Sequence, residues 1–278
     1  MHSKRFIVAL ITLPLLYLYV TVLSPVYFLF LLVFITALAQ WEFNSMYRLN
    51  TKISVISIII GILLISFPYF YKDASCHPLI NMGLHMIVLI LGFIVLTTFR
   101  LFYIKNPESS LKDLSPAIVG ITYVPTLMLP QLYLRMLGSE WIILLYGCVW
   151  ASDSLAYYIG KSLGERKLYY EVSPNKTMEG AIGSLVGGIL SALLISWLLG
   201  IFQREIFADY MGLLKIALLG LSIGFVTIIG DLVESMFKRD ANIKDSGMLV
   251  PGHGGFLDKL DGSLFAGPAL YLFLLILL

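Results

Sequence analysis

Continuous apolar runs, most of them close to twenty residues long, alternate along this chain with short polar connections. Nine fall at about 6–23, 25–41, 53–71, 82–104, 115–136, 141–160, 180–202, 212–230 and 263–278. A helix needs ~20 mainly apolar residues to cross the hydrocarbon core of a bilayer. Runs apolar at every position, rather than at alternate ones, predict helices and exclude a barrel of membrane strands. The pattern therefore predicts an all-α polytopic membrane protein with nine transmembrane helices. The first run follows Lys4 and Arg5 as a secretory signal would, but Val22-Leu23-Ser24-Pro25 offers no small-residue cleavage site. It is expected to be a retained span.

Composition and charge agree with this pattern. The 278 residues are 59% hydrophobic and 13% charged, with a mean hydropathy of +0.89, whereas a soluble domain carries about 25% charged residues. With the N-terminus cytoplasmic, the inside segments hold Lys4, Arg5, Arg48, Lys52, Arg100, Lys105, Lys112, Lys161, Arg166, Lys167, Lys176, Lys238, Arg239, Lys244 and Lys259. Only Lys72, Arg135, Arg204 and Lys215 fall outside. Such asymmetry is what the positive-inside rule predicts. Cys76 and Cys148 suggest neither a disulfide framework nor a metal cluster.

The polar connections change character after residue 150. Two long inside connections, 161–179 and 231–262, are expected to lie close together at the cytoplasmic face. Residues 1–140 then read as N-terminal scaffold helices, and 141–278 as a C-terminal catalytic transmembrane region. No internal repeat is evident, which counts against a transporter built from inverted repeats.

Within the sixth run sits Asp153, and an ionisable group there normally faces a bundle interior or a wet cavity. Tyr157, one turn on, is within reach of a hydrogen bond to it. A functional acid and a structural one satisfied by neighbouring hydroxyls are both open readings. Ser173 followed by Pro174 predicts an N-cap and first helical residue. That would bring free N–H groups, Lys176 and Thr177 to a helix end suited to anions; a simple well-capped helix is the other reading. Gly180, Gly183, Gly187 and Gly188 predict close packing of the helix that follows.

If the eighth helix continues past the membrane, Asp231, Glu234, Ser235 and Lys238 share one face, and Glu234–Lys238 reads as a structural pair. Pro251-Gly252-His253-Gly254-Gly255 forces an irregular backbone whose N–H groups can approach a phosphate. Asp258 and Asp261 point the same way on a helical turn. Together with Asp231 they predict carboxylates near a triphosphate, the oxygen-rich site that Mg²⁺ shares with phosphate. Lys238, Arg239, Lys244 and Lys259 are candidates to neutralise phosphate oxygens.

These residues resemble the signature of the phosphatidate cytidylyltransferases, or CDP-diacylglycerol synthases. Ser235, Lys238, Arg239, Lys244, Asp245, Gly247, Pro251, His253, Gly254, Gly255, Asp258 and Asp261 stand in register with that pattern. Asp153, Tyr157 and Gly160, the stretch from Ser173-Pro174 through Lys176-Thr177 to Glu179-Gly180, and Gly230-Asp231-Leu232 with Glu234-Ser235 also resemble the family. Lys259 stands where arginine is usual, keeping the charge without the bidentate fork.

The resemblance implies transfer of CMP from CTP to phosphatidate, giving CDP-diacylglycerol and pyrophosphate in phospholipid biosynthesis. It implies Mg²⁺, with or without a second cation, on Asp231, Asp258 and Asp261. Lys238, Arg239, Lys244, Asp245 and His253 are the implied catalytic set, with His253 either donating to departing pyrophosphate or stabilising its turn. Asp153, Ser173, Lys176, Thr177, Ser235, Gly254, Gly255 and Lys259 are the implied substrate contacts. The expected partners are CTP, phosphatidate in the bilayer and the lipid membrane itself, without nucleic acid; a homodimer is open. A bacterial inner membrane, with the site facing the cytoplasm, is the expected location. A CTP-dependent kinase of a polyprenol-type lipid and a non-enzymatic transporter are the alternatives.

Overall fold

In the computed structural model, residues 17–70, 78–208, 211–247 and 254–277 are described. Most of the expected first span, Cys76 and the Pro251–His253 turn lie outside them. After a helical stretch over 17–22, the helices are α1 (Pro25–Met46), α2 (Thr51–Phe70), α3 (Pro78–Ile104), α4 (Ser110–Tyr123), α5 (Pro125–Leu137) and α6 (Ser139–Leu163). A short hairpin of β1 (Lys167–Tyr169) and β2 (Ser173–Thr177) leads into α7 (Met178–Leu198), α8 (Gly212–Asp240) and α9 (Asp261–Leu277).

The all-helical membrane architecture read from the apolar runs is present. Seven described stretches are long and apolar enough to cross a bilayer, with α4 and α5 together making one of them, and α9 is a shorter apolar helix. The expected 115–136 span is broken at Val124 because Pro125 has no N–H and crowds the preceding turn. The carbonyl of Ile121 that this leaves free accepts instead from Thr126 Oγ1 at 2.9 Å. Proline is tolerated in a membrane helix when a neighbouring hydroxyl re-satisfies the backbone in this way.

Charge sidedness has a structural counterpart. Near the start of α8, Lys215 donates to Ile206 O at 3.0 Å; Arg204 pairs with Glu140 at the start of α6. Arg135 donates to Leu23 O at 2.6 Å. Lys238 and Arg239 lie in the last turn of α8, at its opposite end.

Helices α6, α7 and α8 form the tightest layer. A Cβ on Gly187 would meet Ala151 O at 2.8 Å, and one on Gly224 would meet Ser184 O at 2.7 Å. Ser184 Oγ also donates to Gly224 O at 3.1 Å across the α7–α8 crossing. Small residues that let backbones touch, and hydroxyls that bond across, are how helices associate where lipid removes the hydrophobic drive. The glycines of α7 thus pack as expected.

One apolar core runs through both halves of the chain, from Val20 to Leu274; α2, α3 and α4 enclose a smaller cluster around Ile60 and Leu96. Helix α1 belongs to the larger core, where Phe43 packs edge-on against Phe237 of α8 with ring centroids 5.3 Å apart. A buried polar zip, Asn44 Nδ2 to Ser54 Oγ at 2.9 Å and to Ser57 Oγ at 2.8 Å, ties α1 to α2.

The entry to α7 departs from expectation. Ser173 is not its N-cap but the first residue of β2, paired with Tyr169 in an antiparallel register. Pairing with β1 engages backbone that a helix start would leave free, and Met178 N donates to Arg166 O at 2.9 Å. Thr177, in extended conformation, is the cap: its Oγ1 accepts from Gly180 N at 3.1 Å.

Candidate active site

The hairpin places Lys176 over the end of α8. Its Nζ meets Asp231 Oδ2 at 2.7 Å, and Arg239 Nε reaches the carbonyl of Val172 at 3.3 Å. The two polar connections therefore meet at these contacts. Between α6, α7, α8 and the hairpin lies a cavity of about 500 Å³, lined by Asp153, Tyr157, Lys176, Thr177 and Asp231 among others. Tyr157 does not bond Asp153. It stands exposed at 60%, with Lys161 Nζ 5.6 Å from its ring centroid.

Because α8 continues to Asp240, its polar residues share the predicted face. Ser235 Oγ donates to Asp231 Oδ1 at 3.4 Å, and Lys238 Nζ bonds Glu234 Oε2 at 3.0 Å. The same ammonium reaches across to Asp258 Oδ1 at 2.6 Å. Asp258 Oδ2 then accepts from Gly255 N at 2.7 Å and from both Ser246 N and Ser246 Oγ at 3.0 Å. Burial alone would push this carboxyl up; the Lys238 ammonium and the N–H groups of Gly255 and Ser246 outweigh burial and hold it below the usual carboxylate range.

The loop before α9 owes its shape to a residue the sequence reading did not select. Glu42, on α1 and 3% exposed, accepts from Phe256 N at 2.9 Å, Leu257 N at 2.7 Å and Ser246 Oγ at 3.3 Å. Gly254 takes the left-handed conformation, φ +87°, and a Cβ there would lie 2.7 Å from Asp258 Oδ2; one on Gly255 would lie 2.7 Å from Glu42 Oε2. The glycines thus let the loop close around two carboxyl groups, and the Gly255 N–H already has its acceptor.

The remaining predicted residues are distributed unevenly. Asp261 stands at the start of α9, with Asp231 and Asp153 in electrostatic range. Arg239, in the last turn of α8, and Lys244 and Asp245 beyond it are exposed, and Arg239 also donates to Ile243 O at 3.2 Å. Ser173 is held in the hairpin by backbone pairing. Lys259 is exposed, forms no ion pair among the described residues, and lies in electrostatic range of Asp153. His253 lies outside the described residues.

Among the described residues, no group of three or more His, Cys, Asp or Glu side chains forms a ready-made metal cage. The charge balance nevertheless leaves room for a cation. Asp153, Asp231, Glu234, Asp258 and Asp261 face Lys176, Lys238 and Lys259, so carboxyl groups outnumber ammoniums here. Glu234 Oε1 is buried and has no hydrogen-bond partner among the described residues. Mg²⁺ is usually held by one or two protein carboxylates together with water and substrate phosphate. Asp231, with one contact each from Lys176 and Ser235, and Asp261 fit that role better than Asp258, whose two oxygens take four contacts from Lys238, Gly255 and Ser246.

Comparison with known proteins points the same way. The sequence pattern of the Cytidylyltransferase family matches residues 3–277. A phosphatidate cytidylyltransferase of Bacillus subtilis is 34% identical over 279 aligned residues, covering 91% of this chain and 94% of that protein. The protein of the same name from Staphylococcus saprophyticus is 32% identical across 89% of this chain and 88% of its own length. One from Synechocystis is 46% identical over 136 residues, 49% of this chain and 43% of that protein.

Proposed function

The chain belongs to the cytidylyltransferase family, and from that premise we propose how its site transfers CMP from CTP to phosphatidate, yielding CDP-diacylglycerol and pyrophosphate. It is an integral membrane nucleotidyltransferase. A phosphate oxygen of phosphatidate attacks the α-phosphorus of CTP, a new P–O bond forms, and the bond from that phosphorus to the bridging oxygen breaks. The bridging oxygen leaves with pyrophosphate. The nucleophile is already anionic, so no strong base is required; repulsion between two polyanions is the obstacle. Catalysis then rests on positioning and charge neutralisation.

The observation that carries this reading is the Lys176–Asp231 contact at 2.7 Å, which joins the hairpin to α8 beside one cavity. Lys176 supplies positive charge to a phosphate there, with Asp153 and Thr177 on the same wall. Lys238 is fixed between Glu234 and Asp258 and presents the Gly254–Gly255 loop. Asp231 and Asp261 would hold Mg²⁺, which when bound supplies positive charge to triphosphate oxygens. The site would face the cytoplasm of a bacterial inner membrane, where positive-inside charge puts the hairpin and the 241–260 loop.

Purified protein in detergent, given CTP, phosphatidate and Mg²⁺, should release pyrophosphate and form CDP-lipid in equal amounts. Release of CDP with a phosphorylated lipid would instead identify a kinase. Chelation should abolish turnover and Mg²⁺ restore it.

A further inference from the structure

A second cavity, of about 600 Å³, lies between α1, α6 and the turn preceding α9. Its lining is almost wholly apolar, with Leu31 and Ile35 from α1 and Ile143, Gly147 and Trp150 from α6, and Lys259 is the charged residue among the described residues that line it. On α6 the residues Ile143, Gly147 and Trp150 form one stripe, and the next turns of that stripe reach Asp153 and Tyr157, which line the polar cavity. Groove and active cavity are thus successive stations along one helix face, with Asp153 and Lys259 in electrostatic range of each other at the junction.

We propose that this groove seats an acyl chain of the phosphatidate substrate, with Lys259 meeting the lipid phosphate and the chain running along α6 toward Ile143. The inference rests on phosphatidate being the acceptor and adds where its hydrocarbon lies. Two features select this occupant. An ammonium that forms no ion pair among the described residues, set in an otherwise apolar groove, suits an anion carrying a hydrocarbon, not a neutral lipid. The volume lies within the ~300–1,000 Å³ of ordinary ligand clefts.

Ile143→Trp and Leu31→Trp narrow the groove from opposite walls, far from the phosphate contacts. Turnover is measured with dihexanoyl and dipalmitoyl phosphatidate in mixed micelles. The ratio of kcat/KM for the long-chain to the short-chain substrate should fall about tenfold in either variant, the effect of excluding roughly two methylenes from apolar burial. Lys259→Met should raise KM for both lipids and leave the ratio as in the unaltered protein. If both tryptophan variants change the two substrates in equal proportion, or not at all, the groove holds something else and the inference is wrong. Absence of CDP-lipid from the unaltered protein at either chain length would instead overturn the reading of the reaction.

Discussion

Glu42 and Leu257 stand 215 residues apart, yet the carboxyl of the first accepts the backbone N–H of the second at 2.7 Å. Phe256 N and Ser246 Oγ share the same carboxyl. A side chain from the N-terminal helices thereby sets the backbone that presents Asp258 to Lys238. Scaffold and site are coupled through this carboxyl.

Glu42→Ala would leave the N–H groups of Phe256 and Leu257 without their acceptor, while Ser246 Oγ would keep Asp258. A loss of about 3 kcal/mol is expected from orphaned donors of this kind, together with a fall in CDP-lipid formation. Glu42→Gln keeps one carbonyl oxygen and should lie between the alanine variant and the unaltered protein. Thermal unfolding in detergent, paired with turnover, measures both. Normal turnover in a folded Glu42→Ala protein would show that the loop holds its shape without this contact.

Lys176 and Asp231 should behave differently. Their side chains are 21% and 36% exposed, although the Lys176 nitrogen itself is buried, and a pair with a partly exposed carboxylate contributes about 1 kcal/mol to stability. Lys176→Met is therefore expected to melt close to the unaltered protein while losing on the order of a hundredfold in kcat/KM for CTP, the scale for removing one preorganised charge from a transition state. A large drop in melting temperature, with turnover lost only in proportion, would make the contact structural.

The packing of α7 offers a test of the fold apart from the chemistry. Gly224→Val would drive Cβ into the carbonyl of Ser184, 2.7 Å away, and into Leu185 Cα at 3.1 Å. Backbone cannot yield as a flexible side chain can, so destabilisation of about 3 kcal/mol or more is expected, measured as unfolding in detergent. Gly83→Ala, with none of the described residues within 4 Å of the added carbon, should leave the melting temperature nearly unchanged.

Much of this architecture was legible because lipid imposes a simple rule: a long apolar run must be a helix. The spans around 25–41, 53–71 and 141–160 follow from that rule alone. The α8 face of Asp231, Glu234, Ser235 and Lys238 follows from helical spacing once the helix is extended. The hairpin was not legible. Ser173-Pro174 carries a strong helix-start signal, and a three-residue strand such as Lys167–Tyr169 is too short to show periodicity. The shared role of Thr177 as strand end and helix cap emerges only from pairing. Glu42 escaped for another reason. One acid at the inner end of an apolar run is indistinguishable from an interfacial anchor until the fold brings three donors to it. Its neighbours Gln40 and Asn44, both buried, were the available hint that this end of α1 faces protein.

Asp258 should give the acid limb of stability a recognisable owner. Its carboxyl is held below the ordinary 3.8 in the folded protein, so the folded state favours the ionised form. The stabilisation is fully present above the unfolded value, and it is lost as pH falls through 3.8 toward the depressed folded value. Melting temperature in detergent should therefore decline below about pH 4 as Lys238, Gly255 and Ser246 lose their charged acceptor. Asp258→Asn removes that titration, so its melting temperature should be lower at neutral pH and flatter through the acid range. Because Lys238 would retain only Glu234, turnover should fall as well, and Asp258→Glu should recover part of it. An acid limb of unchanged steepness in Asp258→Asn would assign the titration to another carboxylate.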